Sequence, residues 1–377
     1  MALLKLSMLS GIVSFALGDH HSMILTKEGS VWSTAINALN SLSPQRGVGE
    51  NFRQVIPSGV TAAAAGSGYS MVVKEDNAVW AVGRNSRGQQ GDGTRNRRET
   101  FSFVQIIPGA KDVDAGVCHT MVLTHEGCIW AAGANSYGQL GDGTRHGRIN
   151  FFVAMSSGAK ALATGDTHSI VLKLDGSVWA TGRNQNGQLG DGSMQSRSGF
   201  VEVMSSGAVA VAAGGQHSMV IKKDGSVWAT GWNEYGQLGD GSTTDRTNYV
   251  QVVWSGAKAI AAGKRHSFLT KEDGSVWATG YNEYGQLGDG SKINAMIFVQ
   301  VIADGAEFVA AGAFHSMLLT RDGSIWATGS NREGQFGDGS TISEKVFVRL
   351  APFRKGTDHV HIVGYYFSVL LPFDRCT

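Results

Sequence analysis

Residues 214–242 read GGQHSMVIKKDGSVWATGWNEYGQLGDGS, and nearly the same string returns along most of the chain. Trp228 of this stretch has counterparts at a spacing of 48 to 50 residues, namely Trp32, Trp80, Trp130, Trp179, Trp277 and Trp326. His217 has counterparts at His21, His119, His168, His266 and His315, with Tyr69 and Tyr366 in the same place in two further copies. A fixed period of this length indicates a repeat protein.

Each repeat predicts four short strands, A to D. In the copy quoted above, a small-residue strand A ends at Gly214, and strand B starts at His217. A two-residue Asp224-Gly225 turn then leads to strand C with Trp228. Strand D follows the glycine-rich loop, at residues 249–252. Four strands in about 49 residues are typical of a propeller blade, so the sequence predicts an all-β, seven-bladed β-propeller with four antiparallel strands per blade. A solenoid is the alternative, but it needs polar end caps that the sequence does not show.

The unbroken period predicts one domain over residues 1–377, with repeats at about 11–59, 60–109, 110–158, 159–207, 208–256, 257–305 and 306–350. The first repeat has strands B and C but lacks the regular loop, at residues 37–50. Residues 351–377 resemble an extra A/B strand pair without a strand C. They either complete the blade that holds Trp32 or pack outside the ring, and we favour the second because His21 keeps the motif.

Composition narrows the class of protein further. Glycine accounts for 52 of 377 residues without a three-residue period, so the glycines belong to turns. A net charge of +1 gives no general attraction to nucleic acid or to acidic membranes. Cys118, Cys128 and Cys376 are too few and too irregular for a disulfide framework or a zinc site. The apolar amino terminus aligns with a strand A and lacks a clear cleavage site, so we expect an intracellular protein of the cytoplasm or nucleus.

The motifs GxHSxxL, DGxVWxxG and NxxGQLGDG at this period resemble the regulator-of-chromosome-condensation repeat family. The resemblance covers about residues 11–350 and implies a seven-bladed propeller. Family members include an exchange factor for the small GTPase Ran, a UV-B photoreceptor, accessory propellers of ubiquitin ligases and a secreted β-lactamase inhibitor. The even spacing leaves no room for the exchange factor's wedge insertion. The positions that match the photoreceptor's GWRHT motif carry no tryptophan in this sequence, which disfavours light sensing. Exchange activity is therefore disfavoured, and an inhibitor-type binding propeller stays open.

The repeated polar residues invite a catalytic or metal-binding interpretation. A catalytic histidine should occur once, beside a distinct acid or nucleophile, whereas one histidine per blade is better explained by a hydrogen bond that holds the A–B turn. The aspartate of each Gly-Asp-Gly stands alone between glycines, which suits an Asx-type turn rather than a calcium loop. We therefore predict a structural role for the histidines and tryptophans, no enzyme activity, no metal site and no cofactor.

Function in a repeat protein is expected at the positions that do not repeat. One variable set occupies the A–B turns, which should ring one mouth of the central channel: Asp19, His20, Asp166, Gln216, Lys264, Arg265 and Phe314. A second set follows strand C: Arg84, Arg183, Trp232, Tyr235, Tyr281 and Tyr284. Aromatic residues beside arginines are typical of interaction hot spots, although some of the rings could simply pack on the next blade's loop. The sequence thus predicts a scaffold that binds a protein partner, with no nucleic-acid or membrane partner.

Overall fold

The computed structural model describes residues 11–18, 21–35 and 52–350. In these residues the protein forms 28 strands and no helix. The strands make seven four-stranded sheets, and within each sheet the strands follow one another in chain order. All the pairings are antiparallel, so each sheet is a meander of three hairpin connections.

The first three blades occupy the amino-terminal part of the ring. Blade 1 contains β1 (Ile12–Leu17), β2 (His21–Thr26), β3 (Val31–Ala35) and β4 (Arg53–Ile56). Blade 2 contains β5 (Val60–Ala65), β6 (Tyr69–Lys74), β7 (Ala78–Gly83) and β8 (Arg98–Ile106). Blade 3 contains β9 (Ala110–Ala115), β10 (His119–Thr124), β11 (Ile129–Gly133) and β12 (Arg148–Met155).

The last four blades repeat the same plan with nearly equal strand lengths. Blade 4 contains β13 (Ala159–Thr164), β14 (His168–Lys173), β15 (Val178–Gly182) and β16 (Arg197–Met204). Blade 5 contains β17 (Ala208–Ala213), β18 (His217–Lys222), β19 (Val227–Gly231) and β20 (Arg246–Val253). Blade 6 contains β21 (Ala257–Ala262), β22 (His266–Lys271), β23 (Val276–Gly280) and β24 (Ala295–Ile302). Blade 7 contains β25 (Ala306–Ala311), β26 (His315–Thr320), β27 (Ile325–Gly329) and β28 (Glu344–Arg349).

The first strand of each blade lies innermost, where it contacts the first strands of both neighbours around the ring. Small side chains dominate these strands because seven sheets converge there. The ring closes between β1 and β25, where the rings of Phe15 and Phe308 lie 5.0 Å apart. The predicted seven-bladed propeller is confirmed. The predicted extra strand pair at residues 351–377, the irregular loop at 37–50 and Cys376 lie outside the described residues.

The hairpin between strands B and C differs from the predicted two-residue turn. In blade 5 the amide of Gly225 donates to the carbonyl of Lys222, and the amide of Lys222 donates to the carbonyl of Ser226. Lys223 and Asp224 are therefore the central residues, and Gly225 is a bulge with φ of +74°. The Asp224 carboxylate accepts the amide of Ser226 at 2.9 Å, which holds the turn.

The strand C tryptophans lie at the margin of the core and are half-buried rather than fully enclosed. In blade 5 the Trp228 indole donates to the Ser226 hydroxyl at 3.0 Å, and the Lys222 ammonium lies 4.0 Å from the ring centroid. The same lysine-over-tryptophan contact recurs in other blades, at Trp80, Trp179 and Trp277. These rings stabilise the B–C hairpin through their lysine contacts, and they also pack against the sheet.

The aspartate of the C–D loop does more than the predicted Asx-type turn. Asp240 accepts from the Asn233 amide at 3.0 Å and from the Ser242 hydroxyl at 2.8 Å, and it pairs with Arg246 at 2.6 Å. It also forms a β-bridge to Ile297, so the loop of blade 5 holds the outer strand of blade 6. Burial alone would raise the pKa of Asp240, but the hydrogen bonds outweigh it and the pKa is lowered.

Candidate partner-binding face

The described members of both variable sets lie on one face of the ring, because each blade ties its A–B turn to the start of its C–D loop. The amide that follows strand C donates to a carbonyl of the A–B turn in the same blade. In blade 5 the amide of Trp232 donates to the carbonyl of Gln216 at 2.8 Å, and in blade 6 that of Tyr281 donates to Arg265 at 2.9 Å. Arg84, Ala134, Arg183 and Ser330 donate in the same way in blades 2, 3, 4 and 7.

The A–B turns of neighbouring blades also touch one another around the channel mouth. The amide of Asp166 donates to the carbonyl of Gly215 at 3.1 Å, and that of Lys264 donates to Gly312 at 3.2 Å. Asp166, Gln216 and Lys264 are half-buried at these turns. The predicted placement of Asp19 and His20 lies outside the described residues.

Five aromatic residues from blades 5 to 7 stack into one continuous group on this face. The ring of Tyr235 lies 5.3 Å from Trp232 and 4.8 Å from Tyr281, in edge-on arrangements. The chain of contacts continues from Tyr281 to Tyr284 at 6.1 Å and from Tyr284 to Phe314 at 5.1 Å. These separations fall within the usual range for favourable aromatic pairs. We call these five residues, together with Arg265, the aromatic cluster.

Arg265 joins the rings of two blades. Its guanidinium carbon lies 5.3 Å from the Trp232 centroid, 5.2 Å from Tyr235 and 5.7 Å from Tyr281. One guanidinium nitrogen also donates to the Tyr235 hydroxyl at 3.4 Å. The A–B turn of blade 6 thereby contributes a cation to a surface formed by the C–D loops of blades 5 and 6, and the arginine is held in place before any partner binds.

The members of the aromatic cluster differ in exposure. Tyr281 is 8% exposed and forms the base, whereas Trp232, Tyr235, Tyr284 and Phe314 are half-buried and present part of their rings to solvent. Burial raises the pKa of the Tyr281 phenol above its ordinary value, and its hydrogen bond to the Glu283 carboxylate adds to the effect. The rings thus pack on one another and still leave an aromatic surface.

The two remaining predicted arginines lie in other blades. Arg183 stands 5.3 Å from the Tyr137 ring and donates to Gln185 at 2.9 Å, which makes a smaller arginine–tyrosine pair between blades 3 and 4. Arg84 is exposed in blade 2 and donates to the Ser86 hydroxyl. On blade 7, Arg332 lies 5.3 Å from Tyr284 and extends the aromatic cluster, a contact that the sequence analysis missed.

The repeated histidines join successive blades. His217 Nε2 lies 2.8 Å from the Ser267 hydroxyl, which itself donates to the Gln237 carbonyl at 2.7 Å. Since the hydroxyl proton is used on that carbonyl, the imidazole must be the donor through Nε2–H. The sequence predicts one hydrogen bond per blade that holds the A–B turn. In the structure the His217 carbonyl makes this bond by accepting the amide of Gly214 at 2.9 Å, while the imidazole reaches the next blade. Other His–Ser pairs of this kind are His21–Ser70, His119–Ser169, His168–Ser218 and His266–Ser316.

Between blades 2 and 3 a tyrosine and a threonine replace the histidine and serine. The Tyr69 hydroxyl donates to the His119 carbonyl at 2.6 Å and lies 3.0 Å from the Thr120 hydroxyl, which itself donates to the Gln89 carbonyl at 2.7 Å. Burial lowers the pKa of His119, His217 and His266 to about 3, and that of His168 to about 4. Neutral, donating imidazoles suit a structural role and are poor general bases near neutral pH.

Two aspartates on the inner strand of blade 3 were also missed. Asp112 and Asp114 lie on β9. At the same two positions, the inner strands of the other blades mostly carry alanine or another apolar residue. The Asp114 carboxylate accepts the amide of Thr164 in blade 4 at 2.8 Å. Burial raises the pKa of Asp114 to about 6, and burial together with the charge of Asp114 raises that of Asp112 to about 7. Comparison of the seven inner strands would have found the pair.

Within the residues that the structure describes, no three His, Cys, Asp or Glu side chains are arranged to hold a metal ion. Neither Cys118 nor Cys128 forms a disulfide within the described residues. No helix in the described ranges has the length and apolar character needed to cross a bilayer.

The closed ring, the four-stranded blades and the variable face define a class: seven-bladed propellers with loops available for binding. The chain belongs to the RCC1-like domain family, whose profile matches residues 3–254. Regulator of chromosome condensation (RCC1) repeat profiles match residues 257–286, 307–335 and 273–319. The resemblance seen in the motifs is thereby confirmed. A search of curated proteins found no match.

Solved structures of RCC1-type propellers are similar to this chain. Human WBSCR16 is 22% identical, with 82% of this chain and 86% of that chain covered and a TM-score of 0.72. Yeast RCC1 (Prp20), in a structure with Kap60, is 20% identical, with 79% and 78% covered and a TM-score of 0.69. Prp20p of Saccharomyces cerevisiae, in a study of its binding to Gsp1p and histones, is 20% identical, with 80% of each chain covered and a TM-score of 0.66. At these identities the likeness shows the fold.

Proposed function

We propose that this protein is a non-catalytic interaction propeller that binds a protein partner through the face formed by its A–B turns and C–D loops. The observation that carries the proposal is the aromatic cluster, in which Arg265 spans rings from two blades. Trp, Tyr and Arg are the residues most often found to dominate binding energy at protein interfaces. The intracellular location expected from the sequence is part of the same proposal.

The geometry of the cluster favours binding in a second way. Each ring is already held by its neighbours, so few side-chain rotamers remain to be ordered when a partner docks. Tyr281 supports the cluster from below, and Trp232, Tyr235 and Tyr284 offer partly exposed edges. A partner with apolar and carboxylate groups suits such a surface, because the rings take apolar contacts and Arg265 takes a carboxylate.

The structural relatives support a protein partner in general terms. Yeast RCC1 was crystallised with Kap60, and Prp20p was studied for binding to Gsp1p and histones. Nucleotide exchange on a small GTPase is the alternative, but the blade spacing of 48 to 50 residues leaves no room for a wedge insertion. An inhibitor-type propeller would use the same face against an enzyme partner.

The experiment compares affinity purifications of four full-length proteins: wild type, Tyr235→Ala, Trp232→Ala and Tyr137→Ala. The two tyrosines follow strand C at the same position in blades 5 and 3, but Tyr137 lies outside the aromatic cluster. We expect Tyr235→Ala to lose a partner that Tyr137→Ala keeps. If neither Tyr235→Ala nor Trp232→Ala changes the recovered proteins while the fold is retained, the proposal is wrong.

A panel of small GTPases loaded with fluorescent nucleotide tests the alternative function, nucleotide exchange. We expect no acceleration of nucleotide release by the wild-type protein. Acceleration that is lost in Tyr235→Ala would assign exchange activity to this face.

A further inference from the structure

A tryptophan on the perimeter of the ring does not follow the repeat. Trp254 lies in the turn from blade 5 to blade 6 and is 83% exposed, more than any other large hydrophobic residue that the structure describes. The corresponding positions in other repeats hold small or different residues: Pro57, Ile107, Ser156, Ser205 and Ala303. Its side chain is not needed to build the turn, since five other residues serve there.

Trp254 forms one wall of a groove between blades 5 and 6, with a volume of about 410 Å³. This volume lies within the range of ligand-binding clefts, roughly 300–1,000 Å³. Both outer strands contribute to the groove, β20 through Val252 and β24 through Ile297 and Phe298, and Trp277 lines it beside them. The groove is open to solvent along the edge of the ring, so an extended segment could enter it from the side.

The apolar surface continues from the groove along blade 6. Ile297 is 58% exposed, and Ile293, in the loop before β24, is 75% exposed. The counterparts of Ile297 in blades 3 to 5 are Asn150, Gly199 and Asn248, and those of Ile293 in blades 4 and 5 are Gln195 and Thr244. In blade 7 the counterparts are again apolar, with Val346 45% and Ile342 66% exposed, so the apolar surface extends over two neighbouring blades. An exposed apolar patch of this kind is typical of an interaction site.

Charge sets the chemistry of the occupant. Of the groove's lining residues within the described chain, Lys271 is the one that carries a charge, and its ammonium lies 4.2 Å from the Trp277 centroid. Among the described residues that line the groove, none carries a carboxylate. An apolar segment that also carries an acidic group would match both features, since the carboxylate could pair with Lys271 at the rim.

We propose that this groove is a second binding site, which takes an extended apolar peptide with an acidic residue from a partner protein. β24 is the outermost strand of its sheet, and beyond the bridge from Asp240 to Ile297 its outer edge can pair with such a segment at residues 298–302 while Trp254 covers the apolar side chains. The site lies on the perimeter and uses none of the residues of the aromatic cluster, so the protein could hold two partners at once.

The test uses a phage-displayed library of random 12-residue peptides, selected on the full-length wild-type protein. Trp254→Ser and Lys271→Thr introduce residues that other blades carry at those positions, so both variants should fold. Leu174→Ser is the control, because Leu174 is 73% exposed on blade 4, away from the groove. We expect enriched peptides with an apolar stretch and an Asp or Glu, and binding about tenfold or more weaker in Trp254→Ser but unchanged in Leu174→Ser.

A second comparison isolates the charge. Lys271→Thr should weaken the binding of the acidic peptides about threefold and leave the binding of their Asp→Asn versions unchanged. Equal binding of the selected peptides by wild type and Trp254→Ser would overturn the proposal. Trp254-dependent dimers in sedimentation velocity would instead identify a second copy as the occupant. Hydrogen exchange in residues 351–377 that speeds up in Trp254→Ser would identify this chain's own segment, and either result would also overturn it.

Discussion

The Nε2 of His217 lies 2.8 Å from the hydroxyl oxygen of Ser267, 50 residues further along the chain and in the next blade. The same contact joins five pairs of successive blades, in each of which a histidine of one blade meets a serine of the next. Both groups are buried, so the free energy of the contact includes the cost of leaving either partner unsatisfied. One short sequence motif thus ties neighbouring sheets together around the ring.

The first prediction concerns this bond. His217→Ala should lower the free energy of unfolding by about 2–4 kcal/mol, because it removes a hydrogen bond and leaves a cavity. Ser267→Ala should lower it by about 1–3 kcal/mol, since the Nε2–H loses its acceptor. Denaturant unfolding of the two single variants and the double variant measures their coupling, which we expect to be about 1 kcal/mol. His125→Ala, at an exposed turn of blade 3, is the control, and strict additivity at His217 and Ser267 would contradict the inter-blade role.

The second prediction concerns the glycine before each histidine. A Cβ on Gly214 would lie 2.2 Å from Cε1 of His217 and 2.5 Å from the Gly263 carbonyl, so Gly214→Ala must displace the imidazole or the next blade. We expect a loss of about 2–3 kcal/mol in unfolding free energy. Gly199→Ala is the matched control, because a Cβ there meets nothing within 4 Å. A Gly214→Ala melting temperature equal to that of Gly199→Ala would show that the close contact is unimportant.

The third prediction is a loss of stability in mild acid. The pKa values of His119, His168, His217 and His266 are lowered to about 3–4 in the folded protein by burial. Their contribution to the free energy of unfolding is complete above the unfolded pKa of about 6.5. It falls by about 1.4 kcal/mol per pH unit per histidine as the pH drops toward 4.

Asp112 and Asp114 act in the opposite direction. Their folded pKa values are raised to about 7 and about 6, so their contribution is present below about pH 3.9 and is lost as the pH rises through those values. The net slope between pH 4 and 6 is then about 3 kcal/mol per unit, as an upper estimate. Urea unfolding across this range measures it. Asp112→Asn should stabilise more at pH 7.5 than at pH 5, and a pH-independent effect would contradict the assignment.

The fourth prediction uses a difference among the blades. Blades 2 to 5 pair the loop aspartate with an arginine at the start of strand D, as in Asp240 and Arg246. In blades 6 and 7 the same register position holds Ala295 and Glu344. Glu344→Arg should raise the unfolding free energy by about 0.5–1 kcal/mol, because an arginine replaces a carboxylate near Asp338. Glu344→Gln is the control, because it removes the repulsion between the Glu344 and Asp338 carboxylates without adding an arginine to pair with Asp338. Equal melting temperatures for the two variants would mean that the pair contributes nothing.

The blades and their approximate strands could be predicted from sequence because each blade is a local meander. Strands A to D are joined by short hairpins, and glycine, Asp-Gly and tryptophan mark the same points in every copy. The hairpin type escaped prediction for a physical reason. Asp224-Gly225 is compatible with two turn geometries, and the register of Lys222 with Ser226 selects the one with the bulge at Gly225.

The candidate site could be predicted only in part. The variable residues Trp232, Tyr235, Tyr281 and Tyr284 are visible in one sequence because they break a repeat. Arg265 was assigned to a separate set, since nothing in the sequence brings an A–B turn over the preceding blade's C–D loop. The bond from the Tyr281 amide to the Arg265 carbonyl ties that turn to the loop of its own blade, and ring closure brings it beside blade 5.

The number of blades, their strand order and the positions that vary can be read from the sequence alone, because they follow from local periodicity and turn chemistry. The tertiary structure decided what the repeated His217 bonds to, which variable residues meet around Arg265 and which tryptophan stays exposed. Those outcomes depend on contacts between residues 30 to 50 positions apart in the chain, and they exist only when neighbouring blades pack side by side in the closed ring. Trp228 and Trp254 show the difference: one is half-buried against its blade by the repeat, and the other is left in solvent by the packing of blades 5 and 6.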